Sequence, residues 1–119
     1  MKIMKVDHIH FFATSLDESI EFYEALGFTL TQRHQHGGRE AAQLTAGDLT
    51  VDLNKTRAAD NPGYSHFAVQ VDDLDEASRV LRGKGYDVDG PTFNPDTKRW
   101  ILTVRDPSGF LVQMVKAEP

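Results

Sequence analysis

The fold is decided by residues 7–30, DHIHFFATSLDESIEFYEALGFTL, where a strand pattern gives way directly to a helix pattern. Residues 8–13 are rich in strand formers. Ser15, followed three residues later by Glu18, forms a capping box, which predicts that a helix begins here. Apolar residues then recur at three- and four-residue spacing, and Gly27 is suited to ending the helix. The predicted apolar stripe comprises Leu16, Ile20, Tyr23 and Leu26.

The same pattern returns 58 residues later, in residues 65–88, SHFAVQVDDLDEASRVLRGKGYDV. Asp73 takes the N-cap position with Glu76 three residues on, and Gly83 or Gly85 ends the second helix. The aligned matches fall where a strand followed by a helix needs them, which indicates an internal repeat. The identical pairs are His8/His66, Leu16/Leu74, Asp17/Asp75, Glu18/Glu76 and Gly27/Gly85.

Short strands separated by turn signals follow each helix, so each half is predicted to be βαβββ and the fold class α+β. The turns are expected around Gly37-Gly38 and Gly47, in the loop Pro91–Thr97 and at 106–109. At 119 residues and 39% hydrophobic composition, the chain supplies one modest core. We therefore expect a single domain, 1–119, made of modules 5–54 and 64–116 joined by linker 55–63. The predicted strands after the helices are 28–33, 40–44 and 49–54, then 87–89, 99–105 and 110–115.

Composition excludes several classes of function. The net charge is −5 and the basic residues are scattered, so nucleic acid is not an expected partner. The start of the chain has no apolar run long enough for a signal peptide or a membrane span, and we expect a cytoplasmic protein. Because there is no cysteine, any metal would need His, carboxylate, amide or water ligands.

Alternation along the strands places a metal-capable group at the same point of each half. His8, His10 and Phe12 lie on the face of the first strand opposite the helix, and His66 occupies the matching position in the repeat. Asp52 and Gln113 lie on the last strands, 44 and 47 residues after the two histidines. If the halves associate about a pseudo-two-fold axis, His8, His66, Asp52 and Gln113 converge in a cleft as a candidate metal site.

Three segments carry a family resemblance: residues 6–9, 16–28 and 106–113. In these the chain resembles the vicinal-oxygen-chelate superfamily, which includes glyoxalases, extradiol dioxygenases, and fosfomycin- and bleomycin-resistance proteins. The resemblance covers residues 5–116. It implies two tandem βαβββ modules forming a glyoxalase-like half-barrel around a cleft, and a homodimer, for which the region of Phe93 and Trp100 is the expected contact.

The resemblance also implies a ligand set. Family members bind a divalent metal through a His on the first strand of each module and, usually, a Glu on the last strand. Carried over, this gives His8, His66, Asp52 and Gln113 as ligands. The chain departs from the pattern where Gln113 replaces Glu and where Asp52 is one methylene shorter. Two imidazoles, a carboxylate and an amide are compatible with Fe, Mn, Ni, Co or Zn.

Three functions follow from this resemblance. The first is a metal-dependent isomerase, epimerase or lyase of glyoxalase type, acting on a small oxygenated metabolite with Asp52 as catalytic base. The second is an Fe(II) extradiol-type dioxygenase. The third is a metal-free, drug-binding resistance protein, which Gln113 favours and the two retained histidines oppose.

Substrate contacts are assigned to His10 and Phe12, which share the His8 face, and to Arg33 and Trp100, as a carboxylate partner and a ring-closing residue. Further basic candidates are Arg39, Lys98 and Arg99, although most such residues are surface charges. The His34/His36 pair is interpreted as exposed hairpin residues.

Overall fold

A computed structural model describes residues 1–36 and 38–116, except for the side chain of His36. The described part contains eight strands and two helices, which confirms the predicted α+β class. The predicted turn residue Gly37 and the side chain of His36 lie outside the described residues. The elements are β1 (Ile3–Ala13), α1 (Leu16–Leu26), β2 (Thr29–His36), β3 (Arg39–Ala46), β4 (Leu49–Lys55), β5 (Gly63–Val71), α2 (Leu74–Gly83), β6 (Val88–Asn94), β7 (Arg99–Arg105) and β8 (Leu111–Lys116).

The chain forms two compact units, and strand β1 contributes to both. We call residues 8–65 the first unit and residues 1–7 with 66–116 the second unit. When β1 is counted with the first unit, both units follow the βαβββ pattern. The predicted single-domain organisation stays a prediction, and residues 56–62 form the connection between β4 and β5.

In the first unit the strand order is β2-β3-β4-β1, with β1 and β4 parallel and the other pairs antiparallel. Helix α1 covers one face of these strands. Its core joins two helix residues to small and branched residues of β3 and β4, which removes their apolar surface from water. The core residues are Leu16, Ile20, Ala42, Leu44, Val51 and Leu53.

The ends of α1 follow the sequence prediction. The hydroxyl oxygen of Ser15 accepts a hydrogen bond from the Glu18 backbone N–H at 3.2 Å. Gly27 ends the helix in the left-handed conformation, at φ 109°. The predicted stripe was wrong at its last member, because Leu26 is 61% exposed. Leu16 and Ile20 are buried and Tyr23 only partly so, and the stripe leaves the core in the final turn.

The second unit repeats this arrangement with strand order β5-β8-β7-β6, in which β5 and β8 are parallel. The Asp73 carboxylate caps α2 by accepting from the Glu76 N–H at 2.9 Å. Of the two glycines proposed as its end, Gly85 takes the left-handed conformation, at φ 85°, whereas Gly83 is still helical. The core residues are Val69, Val71, Leu74, Ala77, Leu102 and Met114.

The prediction of a loop over Pro91–Thr97 was partly wrong, because β6 runs from Val88 to Asn94. The pairing of β6 with β7 shifts register between Asp89 and Thr92, and such a bulge accommodates a proline that has no N–H to donate. At Gly90 the strand approaches its neighbour closely. A Cβ there would lie 2.7 Å from the Ile101 carbonyl oxygen, so a side chain would force the strands apart.

A nearly buried ion pair ties the second unit together. Both guanidinium Nη atoms of Arg99 lie 2.8 Å from the Asp7 carboxylate oxygens, and the Gln70 amide donates to Asp7 Oδ1 at 2.7 Å. The two charged side chains are only 21% and 10% exposed. Arg99 therefore holds a structural carboxylate. This contact links the start of β1 to β5 and β7.

Candidate metal centre and ligand face

One face of the first unit is polar. Alternation in β4 puts Val51 and Leu53 in the core, so Asp52 and Asn54 point away from α1, as the sequence predicted. In the strand register, Asp52 lies between His10 of β1 and Gln43 of β3. We call this surface the ligand face. Its members are His8, His10 and Phe12 of β1, Arg39 and Gln43 of β3, and Asp52 and Asn54 of β4.

His8 and Asp52 form the centre of the ligand face. His8 Nε2 lies 3.7 Å from Asp52 Oδ2, which is too far for a hydrogen bond. Two ligands that are each about 2.0–2.2 Å from a tetrahedral metal lie roughly 3.3–3.6 Å apart, close to this separation. His8 is 8% exposed, so its imidazole is largely removed from competing water. The pair therefore fits two ligands of one divalent ion.

Gln43 is a functional residue that sequence reasoning missed. Its amide Nε2 donates to Asp52 Oδ1 at 3.2 Å, which leaves Oδ2 directed towards His8. A partner that fixes a ligating carboxylate is a recurring feature of metal sites. The signal was available, because counting antiparallel partners back from the turn at Gly47 places Gln43 opposite Asp52.

His10 lies beside this pair and has its own partner. Its Nε2 lies 2.9 Å from Asn54 Oδ1, and since an amide oxygen only accepts, Nε2 is the donor. The ring of Phe12 meets the imidazole edge-on at 5.0 Å between centroids. His10 is 8% exposed. His10 is thus held in one orientation on the ligand face, and its role in substrate contact stays a prediction.

The second unit reproduces the same register with different residues. His66 lies on β5 and is 9% exposed. Gln113 of β8 is the register partner of Ala68, two residues after His66, as Asp52 is the partner of His10, two residues after His8. Each unit therefore has a side chain with an oxygen donor whose register partner lies two residues after its histidine. The convergence of His8, Asp52, His66 and Gln113 on one ion stays a prediction.

Arg33 and Trp100, the other predicted substrate contacts, have local partners. Arg33 Nη1 lies 2.7 Å from Asp17 Oδ1, and this contact raises the pKa of the guanidinium. Trp100 packs edge-on against Phe93 at 5.4 Å and is 46% exposed. Their role in substrate binding stays a prediction.

Within residues 1–36 and 38–116, no group of three or more His, Asp or Glu side chains is arranged to hold a metal ion. Neither helix of this part of the chain is long and apolar enough to cross a membrane.

Comparison with known proteins agrees with the repeat and the fold. A probable lactoylglutathione lyase from Vibrio parahaemolyticus is 26% identical over 115 residues, covering 85% of this chain and 82% of that protein. Methylmalonyl-CoA epimerase from Mycobacterium tuberculosis superposes with a TM-score of 0.83 at 24% identity, covering 98% and 90% of the two chains. The Streptomyces coelicolor methylmalonyl-CoA epimerase gives 0.82 at 25% identity, covering 99% and 100%.

A family model described as Glyoxalase/Bleomycin resistance protein/Dioxygenase superfamily matches residues 5–114. This match spans both helices and most of the first and last strands. The resemblance inferred from the sequence is therefore confirmed: the chain belongs to the glyoxalase/bleomycin resistance protein/dioxygenase superfamily.

Proposed function

We propose that the protein is a metal-dependent enzyme of the vicinal-oxygen-chelate type, an isomerase, epimerase or lyase that moves a proton next to a carbonyl of a small metabolite. The observation that carries this proposal is the His8–Asp52 pair, 3.7 Å apart and backed by Gln43. The matching positions of His66 and Gln113 in the second unit support it. We assign these four residues as the ligands of Fe, Mn, Ni, Co or Zn.

The donor set fits such an ion. A divalent metal bound there would act as a Lewis acid that polarises neighbouring substrate oxygens. His8 and His66, each largely buried on its strand, would bind it through an imidazole nitrogen. Gln113 contributes an amide oxygen, which carries no charge and takes no proton.

Asp52 is proposed as the base. It is the only carboxylate among the four proposed ligands, and a carboxylate has about four acceptor positions, of which Gln43 takes one. Its side chain is 29% exposed, so a ligand can reach it. The Asp52 carboxylate would take the proton removed from carbon and return it to the product carbon, while Gln43 keeps Oδ1 in place. His10 and Phe12 line the face on which the substrate lies.

The relatives favour this chemistry over ring cleavage. The Vibrio protein is named a lyase and the Streptomyces protein an epimerase, and both align along most of their lengths. Neither name denotes an oxidation. We therefore prefer the hypothesis of an isomerase, epimerase or lyase to the hypothesis of a dioxygenase.

The test is proton exchange in D2O. Metal-loaded protein is incubated with methylmalonyl-CoA, lactoylglutathione and a panel of other thioesters and 2-hydroxy acids, and deuterium incorporation next to the carbonyl is followed by NMR. We expect exchange by the wild type and by Asp48→Asn, an exposed turn variant, but not by Asp52→Asn. Equal exchange by Asp52→Asn would contradict the base assignment. No exchange with any compound, despite bound metal, would contradict the reaction class.

A further inference from the structure

Arg39 lies at the far end of the ligand face from His8. Its guanidinium carbon is 5.1 Å from the centre of the Phe12 ring, a cation–π contact. The Arg39 side chain is only 15% exposed, which is unusual for a residue at the start of a hairpin strand. The long cationic side chain of Arg39 therefore lies against the ligand face.

A row of neighbouring side chains runs along the ligand face from Arg39 towards the proposed metal ligands. Phe12 meets His10 edge-on, His10 bonds Asn54, and Asp52 is the register partner of His10. Phe12 lies four residues beyond His8 on β1, about 13 Å along an extended strand. A ligand that touches both ends of the row must therefore be elongated.

Asp60 is the carboxylate that Arg39 holds in this structure. Arg39 Nη1 lies 2.9 Å from Asp60 Oδ2, in the connection of residues 56–62. The same Oδ2 accepts the Arg57 backbone N–H at 2.8 Å, and the Asp60 N–H bonds the Arg57 carbonyl at 2.9 Å, so the connection positions Asp60 without Arg39. Asp60 occupies one of the five N–H donors of the guanidinium. The other N–H groups of the Arg39 guanidinium are therefore able to donate to a second anionic group.

We propose that Arg39 is a specificity-determining residue that binds an anionic group, a carboxylate or a phosphate, at the distal end of the substrate, with Asp60 as its internal competitor. This inference rests on the proposed function and adds the substrate class. The substrate has a chelating oxygen pair at one end, an apolar middle that passes His10 and Phe12, and an anion at the other end. A planar guanidinium favours such groups because it binds two oxygens at once.

The test compares two probes that share one chelating end. 2-Oxooctanedioate has a distal carboxylate and 2-oxooctanoate does not, and their binding to metal-loaded protein is measured by calorimetry. We expect the wild type to prefer the dicarboxylate about tenfold or more, as for a charge-assisted hydrogen bond. A matched probe with a distal phosphate shows which of the two anions Arg39 prefers.

Variants assign the preference to Arg39. Arg39→Gln keeps much of the side chain's length and is expected to lose the preference, and Arg39→Lys to keep only part of it. Asp60→Asn removes the competitor and is expected to tighten dicarboxylate binding a few-fold. Arg79→Ala, an exposed charge on α2 with equal loss of net charge, is expected to leave the preference unchanged. A full preference retained in Arg39→Gln would overturn the proposal.

A second measurement needs neither metal nor a variant. It therefore tests the proposal even if the Arg39 variants do not fold. In the metal-free wild type, titration with octanedioate or inorganic phosphate is expected to shift the Arg39 side-chain Nε–H resonance in NMR spectra. A wild type that binds both keto acids equally, with no shift of this resonance, would overturn the role of Arg39 while leaving the metal site intact. Keto acids that bind with no dependence on metal would instead contradict the proposed function.

Discussion

The two units share one register but differ in the chemistry placed on it. At matching positions the first unit has His8, His10 and Asp52, where the second has His66, Ala68 and Gln113. Of these three positions, only the first has the same residue in both units, His8 in one and His66 in the other. The second unit instead contains the Asp7–Arg99 ion pair. The comparison teaches that the repeat keeps a histidine at the proposed metal-binding position of each unit, whereas of the two last-strand positions only that of the first unit, Asp52, holds a group able to take a proton.

The largest expected effect tests the difference between Asp52 of the first unit and Gln113 of the second. Asp52→Asn removes the proposed base, so turnover is expected to fall on the order of 10²–10⁴-fold. Gln113→Glu, the matching change in the second unit, adds a charged ligand and is expected to retain turnover and bind metal at least as tightly. Steady-state kinetics and metal titration measure both. Equal losses in the two variants would mean that the units contribute alike.

The ion pairs of the two units are expected to differ in stability. Asp7→Asn leaves Arg99 without its main carboxylate in a nearly buried site and is expected to lower the free energy of unfolding by about 3–5 kcal/mol. Asp17→Asn breaks the Arg33 pair, whose side chains are 43% and 79% exposed, and is expected to lower the free energy of unfolding far less. Urea denaturation measures both. Similar losses would contradict the structural role of Asp7.

The partner of Asp52 is expected to tune metal affinity. Gln43→Leu removes the hydrogen bond to Oδ1, and affinity is expected to fall about 10–100-fold, as for other groups that orient a ligand. Gln35→Leu, an exposed change elsewhere in the first unit, serves as the control. If both variants bind metal like the wild type, Gln43 does not orient Asp52.

The helix caps are expected to be equivalent in the two units. Ser15→Ala and Asp73→Ala each remove one hydrogen bond from a helix N-terminus. Each is expected to lower the free energy of unfolding by about 1 kcal/mol. Thermal denaturation compares them, and a several-fold difference would show that the local repeat does not extend to energetics.

The smallest expected effect depends on pH. The Lys2 backbone N–H donates to Asp72 Oδ1 at 2.6 Å and lowers the pKa of this carboxyl. Because the pKa is depressed in the folded state, the stabilisation is present above the unfolded pKa and is lost as pH falls. Asp72→Asn is therefore expected to be slightly less stable than the wild type at pH 7, with the difference shrinking below about pH 4 and vanishing as the pH falls through the depressed pKa. A difference that persists at low pH would contradict this origin.

Much of the fold was predictable because local signals were strong. Both N-caps, the glycine after α1 and the alternation that separates Val51 and Leu53 from Asp52 in β4 follow from spacing alone. The prediction failed where tertiary context decides. Leu26 fits the helical period but is 61% exposed, and β6 continues past Pro91 because a bulge accommodates it.

The site was predictable only in part. His8, His66, Asp52 and Gln113 came from the repeat and the family resemblance. Gln43 and Asn54 follow from register, which requires knowing which strands are neighbours. The seating of Arg39 on Phe12, with Asp60 as its partner, depends on the path of residues 56–62, which carries no periodic signal.

The most direct test of the account is metal content. Wild type and the double variant His8→Ala/His66→Ala are purified without a polyhistidine tag, reloaded anaerobically with Fe, Mn, Ni, Co or Zn, and examined by elemental analysis. We predict one metal ion per chain in the wild type and none in the double variant. A wild type that retains no metal under any loading condition would contradict the metal centre and favour a metal-free, ligand-binding protein.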